Sequence, residues 1–228
     1  MRLALLGRML HYLGYDEGIS GHMTYRLESG GLLATPYVIR WADLTASDIL
    51  EIDAKGRVLK GRWPVSPAIT LHTVLHEERP DTRIAIHNHP RWATVWAATG
   101  RTPPIYDQFS AFTKDDVAVY DEYAGGVDDP DTARRNVRAM GSSNIGLLVN
   151  HGVFVLAPSF PIAYLRCAAI EHRSRVAYHV EALGGGRQMD ADVAAGLAFT
   201  MEDKLEGWPE LYTAMAHREV RADPGVLG

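Results

Sequence analysis

The sequence predicts a three-layer α/β/α domain around a central mixed, mostly antiparallel sheet. Short apolar runs come in pairs separated by turn residues, so hairpins outnumber crossovers. Longer stretches with helical spacing alternate with those pairs and supply helices for both sheet faces. The 228 residues carry no repeat and no linker long enough to separate domains. They suit one domain over residues 1–228, with a C-terminal tail from about residue 205.

The elements follow in chain order. Met1 to Tyr12 reads as an amphipathic helix stopped by Gly14. His22 to Leu27 and Leu32 to Thr35 form a hairpin about Gly30-Gly31, and Ile49 to Ile52 with Arg57 to Leu59 form another about Asp53-Ala54-Lys55-Gly56. Ser66-Pro67 reads as an N-cap and first-turn pair opening a helix to about Glu78. A strand at Ile84–Ile86 precedes a helix from Pro90 to Thr99 closed by Gly100. Val117 to Tyr120 is a short strand, and Asp129-Pro130 caps a helix that stops near Gly141. The Ile145–Leu156 hairpin follows, then a long helix from about Phe160 to Leu183, ended by Gly184-Gly185-Gly186.

Composition narrows the function. A net charge of −5, with a pI near 6.0 and no basic stripe, argues against nucleic-acid binding. The lone Cys167 excludes an intramolecular disulfide and a cysteine zinc knuckle, and its apolar helical surroundings place it in the core. Met1 to Leu6 begins like a signal peptide, but Arg8 and His11 fall inside the same segment and no cleavage pattern follows. No run is long enough to span a membrane. The expectation is a cytoplasmic enzyme acting on a small-molecule substrate.

The chemistry centres on Ile84-Ala85-Ile86-His87-Asn88-His89-Pro90, answered later by Leu148-Val149-Asn150-His151-Gly152. Side chains two apart on a strand point the same way, so His87 and His89 can converge at a strand end. His151, from the turn of a second apolar hairpin, can add a third nitrogen. Three neutral imidazoles with a position left open suit a catalytic divalent metal better than a structural one. Zinc is the expected ion, with manganese or iron as alternatives, because imidazoles alone do not select the metal. The bland alternative is two polar residues half-exposed at a strand end.

The motifs G-H-x-T-x-R (Gly21 to Arg26), T-P (Thr35, Pro36) and D-L-T-x-S-D (Asp43 to Asp48) come in that order. They are followed by P-V-S-P (Pro64 to Pro67), R-P-D (Arg79 to Asp81), H-N-H-P and N-H-G. Together the series resembles the class II aldolase/adducin family from about Gly18 to Glu181. The resemblance implies the same layered fold, a divalent metal on His87, His89 and His151, and a homo-oligomer, most readily a tetramer whose pockets are closed by neighbours. Glu171 falls where the family's long helix carries a Glu and is expected to orient a metal-bound imidazole; the alternative is an ion pair with Arg175.

Departures from the family's sugar-phosphate aldolases matter as much as the matches. Ala68 falls where those enzymes carry their acid/base Glu, and alanine can move no proton. The phosphate loop T-P-T-G reads Thr35-Pro36-Tyr37-Val38, where bulk hinders backbone approach to an oxyanion. The usual Asn is His22. The expected function is therefore a metal-dependent lyase, aldol-type or decarboxylating, acting on an unphosphorylated and possibly aromatic keto or hydroxy acid through an enolate. The alternatives are a non-haem iron(II) oxygenase on the same scaffold and a non-catalytic adducin-like assembly module.

For proton handling the candidates are Tyr120, Asp107 and His72; for substrate they are His22, Tyr37, Arg40, Ser66 and Gln108. His72 and His76 share one face of the same helix, four residues apart, and a structural role is the alternative reading for both. Tyr37, Arg40 and Trp41 suit an aromatic or carboxylated ligand, or simply a packed loop with a solvated Arg. The aromatics Trp208 and Tyr212 and the apolar stretch Tyr106–Phe112 are expected to dock on a neighbouring subunit, with packing onto the parent domain as the alternative.

Overall fold

A computed structural model describes residues 1–16, 21–114, 116–121, 129–207 and 209–228. The described helices are α1 (Arg2–Tyr12), α2 (Ile69–Glu78), α3 (Arg91–Ala98), α4 (Pro130–Ala139), α5 (Phe160–Ala182), α6 (Ala191–Gly207) and α7 (Pro209–Ala222). The strands are β1 (His22–Arg26), β2 (Leu32–Ala34), β3 (Leu50–Ile52), β4 (Val58–Lys60), β5 (Ile84–Asn88), β6 (Val117–Tyr120), β7 (Ile145–Leu148) and β8 (Gly152–Ala157). They form one sheet in the order β4-β3-β2-β1-β5-β8-β7-β6. Every neighbouring pair is antiparallel except β6 and β7, so the sheet is mixed and mostly antiparallel.

Alternation along the central strands sorts their side chains between two cores. Ile84 and Ile86 of β5 and Val153 and Val155 of β8 join α1 and α5 on one face. Ala85, Phe154 and Leu156 join α2 and α4 on the other. Period two along a strand thus makes a layer on each side of one sheet.

Local chemistry sets the turns. Gly30 (φ 87°) and Gly56 (φ 80°) take the left-handed positions of the two N-terminal hairpins. Asp53 Oδ1 also accepts from the backbone N–H of Lys55 and Arg57, at 2.9 Å each. Asp129 caps α4 by accepting from Thr132 N–H at 2.8 Å, with Pro130 in the first turn.

Asp48 is the buried polar knot of the N-terminal half. It forms a capping box with Thr45 and accepts from Trp63 Nε1 at 2.8 Å and Arg62 at 3.2 Å. Burial raises its carboxyl pKa, but the bonds from Trp63, Thr45 and Arg62 outweigh this and hold it below the ordinary value. A depressed carboxyl stabilises the fold above its unfolded pKa of about 4, and that stability is lost as pH falls through the folded value. Asp48→Ala is expected to cost about 2 kcal/mol by stranding these donors. That corresponds to roughly 4–8 °C in Tm at neutral pH for a domain of this size. The gap to wild type should close below about pH 4, which paired thermal melts will read.

Several expectations need correction. Helix α2 starts at Ile69 rather than at Pro67, because the Ser66 carbonyl accepts from Ile69 N–H and Ser66 Oγ from Ala68 N–H, closing a preceding turn. Of the two readings of Trp41 the packed one holds: it is 1 % exposed, and a Cβ on Gly21 would come within 2.7 Å of its ring. The tail expected from about residue 205 is helical as α7, and α6 precedes it, unannounced because exposed apolar residues such as Val193 and Phe199 blur its apolar stripe. Tyr212 and Ala216 pack into the main core, with Tyr212 beside Phe160. Trp208 lies outside the described residues.

Candidate metal centre

Antiparallel register builds the centre as a row across the sheet. His22 of β1 pairs with His87 of β5, and His87 pairs with Phe154 of β8. Directly paired residues project to the same face. The His22 and His87 rings accordingly lie 4.9 Å apart, and His87 stacks on Phe154 at 4.7 Å. The strand runs on to Asn88, two residues beyond its expected end, and so includes His87.

Two devices bring His89 and His151 to this row. Buried Asn88 donates through Nδ2 to the Tyr15 carbonyl at 2.6 Å and accepts His89 N–H at 2.8 Å, fixing the backbone as it leaves β5. The β7–β8 turn places Asn150 at φ 59°, a left-handed conformation that Asn tolerates, and His151 N–H closes it on the Leu148 carbonyl. Gly152 then passes so close that a Cβ there would lie 2.6 Å from the Asn88 carbonyl oxygen and nearer still to the His89 ring. Sequence reasoning missed Asn88 and Gly152, although both sit inside the two histidine motifs.

The result is a triangle of imidazoles. Ring centroids are 5.1 Å apart for His87–His89, 4.7 Å for His87–His151 and 5.1 Å for His89–His151. One nitrogen from each lies within 4.8 Å of the others, a spacing that can hold a metal ion. His87 Nδ1 donates to the Val153 carbonyl at 3.1 Å, which leaves Nε2 as its ligand nitrogen. Burial pushes the His87 imidazolium well below its usual pKa, with His22, His151 and His89 adding to the shift. Burial, then His89, pushes His151 down to about 4. Both rings are neutral at pH 7, the state a metal ligand requires. The donor set fits a divalent ion, and among the described residues no carboxylate joins this group.

The other candidates divide. His22 and His72 join the centre: His22 Nδ1 and His72 Nε2 are 2.7 Å apart, and His72 also lies against Phe154. Ser66 is buried, with its hydroxyl serving the turn before α2. Tyr37 is half-buried, and its backbone N–H donates to the Pro64 carbonyl. Arg40 pairs with Asp43 in the exposed loop. Gln108 is exposed. Asp107 accepts from the Phe109 and Ser110 backbone and from His172 at 3.1 Å. Burial raises the Asp107 carboxyl, yet Ser110 and His172 hold it below the ordinary value, so it is an anion at pH 7 and an acceptor only. Tyr120 is buried in the α2–α4 core. The two oxygens of Glu171 accept from Trp92 and Ala93 N–H, at 2.9 Å each, holding the start of α3 just after His89-Pro90, and the Arg175 charge acts favourably on the carboxylate.

An apolar hollow lies elsewhere, between α5, the Phe109–Phe112 stretch and α7, lined by Tyr15, Trp92, Phe109, Tyr164 and Tyr212. A shallower hollow beside His89 is lined by Gly14, Asp16, Arg91 and Thr94. The Tyr106–Phe112 stretch packs on its own chain, with the Tyr106 hydroxyl donating to Glu181 at 2.6 Å and Phe109 against His172.

Fold and site together define a layered α/β protein with a three-histidine centre at the end of its middle strands. The chain belongs to the family described as the Class II Aldolase and Adducin N-terminal domain, which matches residues 1–178. It is 26 % identical over 212 residues to a 4-hydroxy-3-prenylphenylpyruvate oxygenase/4-hydroxy-3-prenylbenzoate synthase of Streptomyces roseochromogenus subsp. oscitans, covering 91 % of this chain and 76 % of that one. It is 28 % identical over 212 residues to a 3,4-dihydroxyphthalate decarboxylase of Arthrobacter keyseri, covering 84 % and 83 %. The solved structure of an aldolase II superfamily protein from Pseudomonas syringae superposes with a TM-score of 0.85 at 20 % identity, over 99 % of this chain and 93 % of that one. No described helix is long and apolar enough to cross a membrane.

Proposed function

We propose that this protein is a metal-dependent lyase that decarboxylates or retro-aldol-cleaves an unphosphorylated, possibly aromatic, keto or hydroxy acid. The observation that carries the reading is the convergence of His87, His89 and His151 with His87 anchored through Nδ1. A divalent ion held there, zinc first among the choices, would act as a Lewis acid and stabilise the enolate left when a C–C bond breaks. The chain's own residues do the rest. The three rings would hold the ion, while the buried His22–His72 pair lies against His87. Ala68, in the turn leading into α2, offers no proton, which favours decarboxylation because that step begins without a base. The similarity to a decarboxylase of a dihydroxylated aromatic acid supports the same class. Assembly as a tetramer with shared pockets belongs to this proposal.

One observation favours a second reading. The similarity to an oxygenase acting on a phenylpyruvate, together with three imidazoles and open positions, suits non-haem iron(II). Elemental analysis of protein purified without added metal separates the two, iron favouring oxygenation and zinc or manganese the lyase.

Sugar phosphates are expected to be poor substrates. Exposed Val38 and half-buried Tyr37 stand where a phosphate-binding loop needs unhindered backbone. With zinc- or manganese-loaded protein, CO₂ release from dihydroxylated benzoic and phthalic acids should exceed cleavage of fuculose or ribulose phosphate by about 100-fold, the usual scale of a missing acid/base group. Efficient sugar-phosphate cleavage would overturn the reading.

A further inference from the structure

The hollow along α5 is built from residues that the proposed lyase chemistry does not use. Pro161, Tyr164, Leu165, Ala168, Glu171 and Arg175 recur at helical spacing and give it a floor along one face of α5. From Pro161 to Arg175 the helix advances about 21 Å. Rings form the sides: Tyr15, Trp92, Phe109, Phe112 and Tyr212. Its volume of about 610 Å³ falls in the range of sites that enclose a small organic ligand. None of His87, His89 and His151 lines it. Arg91 and Trp92 open α3 directly after His89-Pro90, so the hollow borders the metal centre without sharing a ring with it.

The two ends of the hollow differ. At the Arg175 end the charge is unbalanced. Arg91 and Arg175 are exposed, and neither guanidinium has a hydrogen-bond partner among the described residues. Both charges act on Glu171, the one carboxylate that lines the hollow among those residues. Its oxygens are already taken by Trp92 and Ala93 N–H. Asp107, on the far side of His172, is likewise tied to Ser110 and His172. Two planar forks thus face one carboxylate whose hydrogen bonds go elsewhere, which leaves room for a second. The other end carries an unmet hydroxyl. Tyr212 lies beside Phe160 near the start of α5 and is 9 % exposed, yet its hydroxyl is buried and has no partner among the described residues. That hydroxyl lies in electrostatic range of Arg2 and of Tyr164, and Tyr164 is on the hollow's floor. Buried hydroxyls are nearly always hydrogen-bonded, because an unpaired one has lost its water for nothing.

We propose that this hollow binds an elongated aromatic acid, with its carboxylate between Arg91 and Arg175, its rings against Trp92, Phe109 and Tyr164, and a hydroxyl at its far end paired with Tyr212. The site is independent of the metal and of the lyase reading. Rings rather than an alkyl chain follow from the lining, because aromatic walls offer flat faces and positive edges that a second ring can meet. Phe109 already meets Phe112 and His172 edge to face, at 5.5 and 5.1 Å. A long molecule follows from the placing of the polar groups, which stand at opposite ends of an apolar floor.

The probe is 4′-hydroxybiphenyl-4-carboxylate, titrated into the full chain by calorimetry and by quenching of tryptophan fluorescence, which Trp92 should report. Saturable binding of one molecule per chain is expected in His151→Ala and in wild type treated with a chelator. Loss of binding in both would put the ligand on the metal and overturn the site. Replacing Arg91 and Arg175 together with Gln should weaken binding about tenfold, as should the use of 4-hydroxybiphenyl, which lacks the carboxylate. Tyr212→Phe removes only the unpaired hydroxyl, so the free protein should be no less stable. Its affinity for the probe should fall about fivefold, while biphenyl-4-carboxylate should bind wild type and Tyr212→Phe equally. Unchanged affinity for the probe in either the arginine variant or Tyr212→Phe overturns the proposal, as does the absence of saturable binding. Decanoate binding as tightly as the biphenyl acid would make the hollow a seat for aliphatic chains and overturn the aromatic assignment.

Discussion

Replacing His151 with alanine is expected to remove the metal and leave the fold standing. His151 sits on the β7–β8 turn, half-buried, where a smaller side chain opens little of the core. The stability change should stay within about 1 kcal/mol. Metal affinity should fall by more than the 10–100-fold typical of disturbing a ligand's outer support, roughly 1,000-fold, because a ligand itself is lost. Elemental analysis after gel filtration reads the stoichiometry, and circular dichroism with thermal melts reads the fold. A variant with His87, His89 and His151 all replaced by alanine that still carried stoichiometric metal would overturn the assignment.

Gly152→Ala should give the opposite pattern, losing metal and stability together. The added Cβ would sit 2.6 Å from the Asn88 carbonyl oxygen, far inside ordinary contact. Neither the β5 backbone nor the His89 ring can yield without moving a ligand. Overpacking of this kind costs about 1–3 kcal/mol, and metal affinity should drop about 100-fold through displacement of His89. Gly196→Ala, at a position with open space around it inside α6, is the control: it should leave metal binding unchanged and should not destabilise. Wild-type metal binding by Gly152→Ala would mean that the turn adapts without moving His89, and that the close approach is incidental.

The parts of the fold governed by local rules were legible in the sequence. Asp129-Pro130 marks the start of α4, Gly30 and Gly56 mark their turns, and paired apolar runs give the antiparallel strands. The His-x-His spacing indicates two rings at one strand end. Long-range register was not legible. Nothing local says that β1 pairs with β5, yet that pairing sets His22 beside His87 and lays His72, Thr24 and His76 in line behind them. The hydrogen bonds of Glu171 were hidden for a related reason: they come from backbone amides at the start of α3, and a main-chain partner leaves no signature in the sequence. Helix α6 escaped because exposed apolar side chains such as Val193 and Phe199 interrupt its polar face.

The strand order divides the sheet at the β1–β5 pairing, with β4 to β1 from the first part of the chain on one side and β5 to β8 from the rest on the other. All three imidazoles of the metal triangle, and the Val153 carbonyl that orients His87, belong to the second part. The buried His–Thr line and the loop around Tyr37 belong wholly to the first. Inheritance can therefore act on the two parts separately. Substitutions before β5 reach the His22–His72 side of the centre while the three imidazoles stay in place. Substitutions after it reach the three imidazoles while the His–Thr line stays in place. A scaffold divided in this way lets chemistry drift one function at a time.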